Sequence, residues 1–251
     1  ANKNLLKPAS GDPIVHPRMD MVLGSFWMTK SVDGEKGEGS IFSSPNEALT
    51  AFDYGQITMR SKIKVMPSTK ARYNKFEGKV FETSAGRILF NSILPDDFPY
   101  INDEMNQKKL SLLVDELIAR YGIDETPKVL DAIKQFGYTY ATRAGITWSL
   151  DSVRVPEEKK GIVAQGRKQE QEVISQYNDG LLSEEERYQK IIEIWIARKS
   201  EIEKIIPTTL DNRSSTYDMI ISGARASMGS LTQMAGMKGL IQNTQGKTIE
   251  F

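Results

Sequence analysis

The residues of this 251-residue chain best placed for chemistry lie near its end, in Ser222-Gly-Ala-Arg225-Ala-Ser. A single arginine stands there among small residues, so it projects from a surface stripped of neighbours and the backbone can approach whatever lies opposite. Two other stretches invite comparison with phosphate loops. Gln245-Gly246-Lys247-Thr248 lacks the glycine that the Walker pattern requires five residues before Gly246, since Ile241 stands there, and no strand precedes it. Gly34 to Gly39 reads Gly-Glu-Lys-Gly-Glu-Gly, yet no apolar strand enters it and no helix starts from it, so it is a turn. No D-x-D-x-D spacing occurs, so the clustered carboxylates that two-metal chemistry needs are missing. With no cysteine and one histidine, His16, the chain has no disulfides, no thiolate zinc site and no histidine cluster. The 33 basic and 33 acidic residues balance, which argues against an autonomous nucleic-acid-binding module.

The elements that must position Arg225 read as an α+β chain. Met21–Met28 is a buried strand or short helix, and Pro45–Tyr54 a short helix ended by Gly55. Ile57 to Met66 alternates as a half-buried strand with a basic outer side; residues 67–79 form a polar hairpin or loop; Val80-Phe81 begins a return strand. Leu110, Leu113, Val114, Leu117 and Tyr121 recur at helical spacing until Gly122. Thr126 is placed as an N-cap before Pro127, and the next stripe, Val129 to Phe136, closes at Gly137.

Glu157 to Ile206 is a helical hairpin whose narrow seam suits a two-helix coiled coil. Its first arm contributes Ile162, Val163, Gly166, Val173, Tyr177 and Leu181, and Asn178-Asp-Gly180 supplies the turn. The second arm opens on a Ser183–Glu186 capping box, runs through Tyr188, Ile191, Ile192, Trp195, Ile202, Ile205 and Ile206, and stops at Pro207. Beyond it, Gly223, Gly229, Gly236 and Gly239 favour short helical turns over one long helix, with Met219, Met228, Met234 and Met237 as a soft apolar face. The division predicted is 1–145 as a mixed unit turning helical and 146–251 as a second unit. That second unit holds the hairpin (157–206) and the glycine-broken loop (217–251). Lacking an apolar run of transmembrane length and a basic-then-apolar leader, the chain reads as cytoplasmic, and both its ends look cut from something longer.

Ser222-Gly-Ala-Arg225-Ala-Ser, followed by Gln233-Met-Ala-Gly-Met-Lys-Gly-Leu240, resembles the loop before the bridge helix in the largest (β′) subunit of bacterial DNA-directed RNA polymerase. The family pattern is S-G-A-R-G-S, then Q-L-A-G-M-R-G-L; Ala226 replaces a usual glycine, Met234 the leucine and Lys238 the arginine. Asn4-Leu-Leu-Lys-Pro-Ala-Ser-Gly-Asp-Pro-Ile14 and Pro17-Arg-Met-Asp20-Met-Val-Leu-Gly24 resemble the segment after the catalytic aspartates, with Met19 in place of a usual glutamine. Gly86-Arg87, Phe90-Asn91 and Leu94-Pro95 resemble the motif leading into the pore, and Tyr140-Ala-Thr-Arg143 a further one. Glu186-Arg-Tyr-Gln-Lys190 resembles the rim helices of the secondary channel.

The likeness implies a pore unit and a funnel unit of that channel, through which nucleotides enter. It also implies that the segment holds no catalytic residues and no metal, the N-A-D-F-D-G-D motif being absent. Magnesium would be held by residues outside it, and the segment would not polymerise RNA alone. The resemblance assigns Arg225 to the phosphates of the incoming nucleotide, and Gln233, Met237 and Lys238 to support of the bridge helix. It assigns Glu186, Gln189 and Lys190 to channel-inserting regulators such as Gre-type cleavage factors. In some lineages a guanosine tetraphosphate alarmone binds near there; Gln189 departs from the residue seen in them, which leaves that ligand open. Implied partners are the β, α and ω subunits, the remainder of β′, DNA and nascent RNA. The alternative is a structural coiled-coil adaptor outside transcription, which leaves the arginine loop and the pore motifs unexplained.

Overall fold

The structure, a computed structural model, describes residues 4–250. They divide into two compact units: the chain up to Thr147 together with Asp218–Arg225, and Trp148–Tyr217 together with the chain from Ala226 on. Helices dominate and the strands are short, an α+β composition.

The first unit is built on α1 (Asp20–Thr29). An apolar run without alternation fits strand or helix; here it is a helix because it crosses α4 (Gln107–Ala144) where both backbones are bare. A side-chain carbon on Gly24 would collide with the Gly137 carbonyl, and one on Gly137 would come 2.5 Å from the Met21 carbonyl oxygen. Gly137 therefore serves close approach, and the expected stop there is corrected: α4 continues to Ala144, and Gly145, at φ 58°, ends it. Gly122 does interrupt α4, with φ 70° and ψ −177°. Thr126 is not an N-cap. It is buried inside α4, and its hydroxyl donates to the carbonyls of Gly122 (2.6 Å) and Leu117 (3.3 Å), since the chain resumes its helical path at once and leaves no free first turn to cap.

Val22, Met28, Phe90, Leu110, Leu117 and Ile133 form one core among α1, α3 (Ala85–Ser92) and α4. A second core lies on a three-stranded sheet in which β1 (Ile41–Phe42) runs parallel to β2 (Ile63–Val65), and β2 antiparallel to β3 (Phe81–Thr83), Val65 facing Phe81. The expected Ile57–Met66 strand is regular over β2 alone, yet Ile57, Ser61, Ile63 and Val65 are buried and Lys64 exposed, so its two faces persist. α2 (Pro45–Asp53), capped by Ser44, adds Ala48 and Ala51. Residues 67–79 are more than a polar loop: a 3₁₀ turn, Ala71–Phe76, stacks Tyr73 on Tyr100 with centroids 5.2 Å apart.

The second unit is the hairpin of α5 (Lys159–Asn178) and α6 (Glu184–Ile205), turned at Gly180 (φ 77°). Ile162, Gly166, Val173, Ile191, Trp195 and Ile202 are its buried seam; Gly166 lets the Trp195 ring lie against the α5 backbone. Tyr177 and Leu181 were expected in that seam and are exposed instead: Leu181 lies past the end of α5 in the turn, and Tyr177 carries the Arg187 guanidinium of α6 over its ring, 5.3 Å from the centre. After the 3₁₀ turn Ile206–Thr209 the chain enters α7 (Ser215–Ile221), whose residues from Asp218 on belong to the first unit; from Ala226 the second unit resumes with α8 (Met228–Leu231), a π-turn (Thr232–Gly236) and a ribbon of β4 (Ile241–Gln242) and β5 (Thr248–Ile249). These are the short turns that the glycines predict. No helix among the described residues is long and apolar enough to cross a membrane.

Candidate functional site

The loop that carries Arg225 begins where α7 runs out. Ser222 folds back on the helix: its amide donates to the Asp218 carbonyl (3.2 Å), its hydroxyl donates to the Met219 carbonyl, and the same oxygen accepts the Ala224 amide, each at 3.1 Å. Gly223 supplies the left-handed residue, at φ 76°, and lies against the Gln107 side chain. The Ser222 carbonyl accepts the Gln107 amide at 2.8 Å, so the first turn of α4 and this loop share a bond. The Arg225 amide donates to the Met219 carbonyl at 3.3 Å. The Arg225 side chain is exposed and forms no ion pair or hydrogen bond among the described residues. Ala226, where glycine is usual, has φ 59°, a conformation that costs an alanine about 1 kcal/mol or more. Ser227 then caps α8, accepting the Ser230 amide.

Beneath the loop lies a feature that local sequence could not announce. Lys30 Nζ donates to Asp218 Oδ1 at 2.5 Å, with both side chains 5% exposed. Burial pushes the Asp218 carboxyl up and Lys30 opposes that shift. Lys30 follows α1, whose last residue, Thr29, receives Arg87 Nε on its carbonyl and the Met105 amide on its hydroxyl, each at 2.8 Å. Arg87 has its pKa lowered, by burial first, and nearby carboxylates oppose it.

The residues assigned to support of a neighbouring helix differ in setting. Met237 is half-buried and packs, with Leu240, on the Val173–Ile191–Trp195 cluster. Gln233, in the π-turn, and Lys238 are exposed. Gly236 admits the Ile202 and Ile206 side chains, and Gly239 (φ 81°) lies against the Lys199 stem. These small residues bring the segment close to α6.

At the hairpin tip Glu186 is committed to its own helix. Its carboxylate accepts the Ser183 amide and hydroxyl, each at 2.8 Å, while Ser183 Oγ accepts the Glu186 amide. Those hydrogen bonds, with a smaller contribution from Lys190, hold the Glu186 carboxyl below its ordinary range. Gln189 and Lys190 are exposed, three and four positions further on and so on the same face as Glu186. Sequence reasoning missed the neighbours between them. Arg187 grips Glu250 with two bonds of 2.7 and 2.9 Å, the Tyr188 hydroxyl donates to the Thr248 carbonyl, and Lys247 Nζ lies 4.7 Å from the centre of the Tyr188 ring. The β4–β5 ribbon is thus fastened to α6.

The glycine stretches are turns. Contrary to expectation a strand, β4, does precede Gln245-Gly-Lys-Thr, but the stretch is the turn between β4 and β5, where Asn243 Oδ1 accepts the Gln245 and Lys247 amides, each at 2.9 Å. In Gly34–Gly39 the Gly34 amide is taken by Glu38 Oε2 at 2.6 Å. Amides already bonded within their own turn make no phosphate cradle. Among the described residues no group of three or more His, Cys, Asp or Glu could hold a metal ion. His16 bonds the Pro13 carbonyl through Nε2.

Comparison with known proteins places these features in a family. The family model described as RNA polymerase Rpb1, domain 3, matches residues 4–153, and that for RNA polymerase Rpb1, domain 4, matches residues 168–251. Among similar curated proteins, the DNA-directed RNA polymerase subunit beta′ of Heliobacterium modesticaldum is 38% identical over 99% of this chain and 22% of its own length. That of Desulforamulus reducens is 38% identical over 100% of this chain and 20% of its own. That of a Nocardioides species is 38% identical over 99% and 20%. The chain therefore spans about a fifth of the length of the curated relatives it matches.

Proposed function

We propose, because this chain belongs to the RNA polymerase Rpb1 family, that it is the part of a β′ subunit lining the secondary channel of a DNA-directed RNA polymerase, in the cytoplasm. Its partners are then the β, α and ω subunits, the rest of β′, template DNA, nascent RNA and the incoming nucleotide. Polymerisation is the work of the whole enzyme. The described residues do not fit a magnesium site, so the ion would be held by carboxylates elsewhere in the enzyme.

The observation that carries this reading is Arg225, a cation without a partner among the described residues on a backbone held by bonds to α4 and α7. An arginine fixed at its root and free at its tip can take two phosphate oxygens at once and offset charge on departing pyrophosphate. Gln233, Met237 and Lys238 brace the bridge helix in this reading, Met237 from the α5–α6 seam. Gln189 and Lys190, beside Glu186, meet channel-inserting factors. A coiled-coil adaptor outside transcription is set aside, since the family match takes in residues 4–153 as well as most of the hairpin.

The test is Arg225→Ala in reconstituted polymerase, read by single-nucleotide addition across a nucleotide concentration series. Loss of a charge-assisted contact costs about 1.5–3 kcal/mol, so addition should slow by about ten- to a hundredfold at limiting nucleotide. Arg225→Lys should recover part of the loss, and intrinsic transcript cleavage, which uses no triphosphate, should change less. Wild-type addition kinetics in the alanine variant would remove Arg225 from the substrate site.

A further inference from the structure

A buried ion pair asks for a reason. Two apolar side chains of similar volume would hold α7 against α1 as well or better, because desolvation of both charges offsets most of their attraction. What an ion pair adds is register: one nitrogen meets one oxygen, whereas apolar surfaces tolerate sliding. Lys30 and Asp218 are 188 residues apart in sequence and both nearly excluded from water. From Asp218 a short path of bonds leads to Arg225. The Asp218 carbonyl accepts the Ser222 amide, Ser222 Oγ accepts the Ala224 amide, and the Arg225 amide returns to Met219, the neighbour of Asp218. At the other end, Lys30 adjoins Thr29, which is fixed by Arg87 and by the Met105 amide. Each link is a directional bond, and the Arg225 side chain takes part in none of them.

We propose that the Lys30–Asp218 ion pair is a positioning device that sets where Arg225 stands, so that Lys30 and Asp218 govern nucleotide addition through Arg225 without touching the nucleotide. The inference rests on the reading of Arg225 given above. It predicts that disturbing the pair mimics, in weaker form, the loss of Arg225 itself. The guanidinium remains present but is displaced from the phosphates, and a displacement of about 1 Å at a reacting site is worth up to a hundredfold.

The experiment is a double-variant cycle in reconstituted polymerase, using Lys30→Met, Arg225→Ala and the two combined, with addition measured against nucleotide concentration and intrinsic cleavage as reference. Lys30→Met should slow addition about tenfold and leave cleavage within about twofold of wild type. Combined with Arg225→Ala it should add less than about twofold to the loss that Arg225→Ala causes alone. Lys30→Arg, which keeps the charge, should restore most of the rate. Full additivity in the combined variant would overturn the proposal while leaving Arg225 at the phosphates; wild-type addition by Arg225→Ala would overturn both. Equal loss of addition and cleavage in Lys30→Met would show that the pair only holds the fold. Should Lys30→Met fail to assemble, Asp218→Glu, which moves the carboxylate by one methylene and keeps its charge, carries the same cycle. It should slow addition severalfold, and that slowing must vanish in the Arg225→Ala background; no slowing, or slowing that persists there, would sink the idea.

Discussion

The Arg225 loop and the hairpin tip both present charge at the surface, and they prepare it in opposite ways. At the loop, backbone bonds and a buried ion pair hold the chain, and the arginine side chain is left over. At the tip, side chains hold the chain: Glu186 is occupied by Ser183, Arg187 by Glu250, and Lys247 by the Tyr188 ring. A charge committed to its own fold cannot be offered to a ligand without undoing that fold. On the proposed reading the loop is prepared for a small, highly charged ligand, since order supplied by the scaffold need not be supplied on binding. The tip offers Gln189 and Lys190, the residues its capping leaves over.

The largest effect should come from spoiling the loop without touching its charge. Gly223→Val places a β-branched residue at φ 76°, with its added carbon 3.0 Å from Gln107 Oε1. Addition by reconstituted polymerase should fall by roughly a hundredfold, at least as far as in Arg225→Ala, although glycine carries no charge. A wild-type rate would mean that loop geometry does not prepare the arginine.

A smaller effect should separate the two kinds of charge at the tip. Lys190→Glu should weaken the response to a channel-binding cleavage factor roughly severalfold, chiefly through the association rate, and leave α6 intact. Glu186→Lys should lose that response and also open the first turn of α6, seen as faster hydrogen exchange at residues 183–187. Glu186→Gln, which keeps an acceptor for Ser183, should spare that turn. Because the Glu186 carboxyl is held below its unfolded value, its capping contribution is complete above that value and fades as pH falls through the lowered one. Protection of the tip amides, taken relative to intrinsic exchange at the same pH, should therefore fall in acid in wild type and not in Glu186→Gln.

The smallest effect concerns backbone strain next to the arginine. Ala226→Gly should relieve the left-handed alanine and stabilise the local structure by up to about 1 kcal/mol, measured by hydrogen exchange. Addition should stay within about twofold of wild type, since the bonds that fix Arg225 all precede it. A large change in rate would move the control of the arginine to its other side.

Elements set by neighbours along the chain were legible. The Ser183–Glu186 box, the turn at Gly180 and the alternation around Ile63 are decided within a few residues, and local rules found them; the Ser44 and Ser227 caps are as local and went unread. The string Ser222-Gly-Ala-Arg225 likewise marked the arginine, because small residues around a cation can be seen without knowing the fold. Where local rules failed, a distant partner had intervened. Gly137 was expected to end a helix and instead lets α1 approach; Thr126 was expected to cap and instead spans a kink. Tyr177 and Leu181 fit the seam by spacing, yet Leu181 lies past the end of α5 and Tyr177 stays exposed with Arg187 over its ring.

The sequence by itself determined which residues stand together: one arginine among small residues, and a capped helical hairpin. Only tertiary structure decided how the arginine is held. Lys30 and Asp218 look like any surface lysine and aspartate in the sequence, and no periodicity joins residues 188 apart. Their pairing, the shared bond between Gln107 and Ser222, and the clasp of Arg187 on Glu250 exist because packing brings remote segments together and then excludes water from, or narrows, the space between charges. Such bonds depend on where the whole chain goes, which no local pattern encodes.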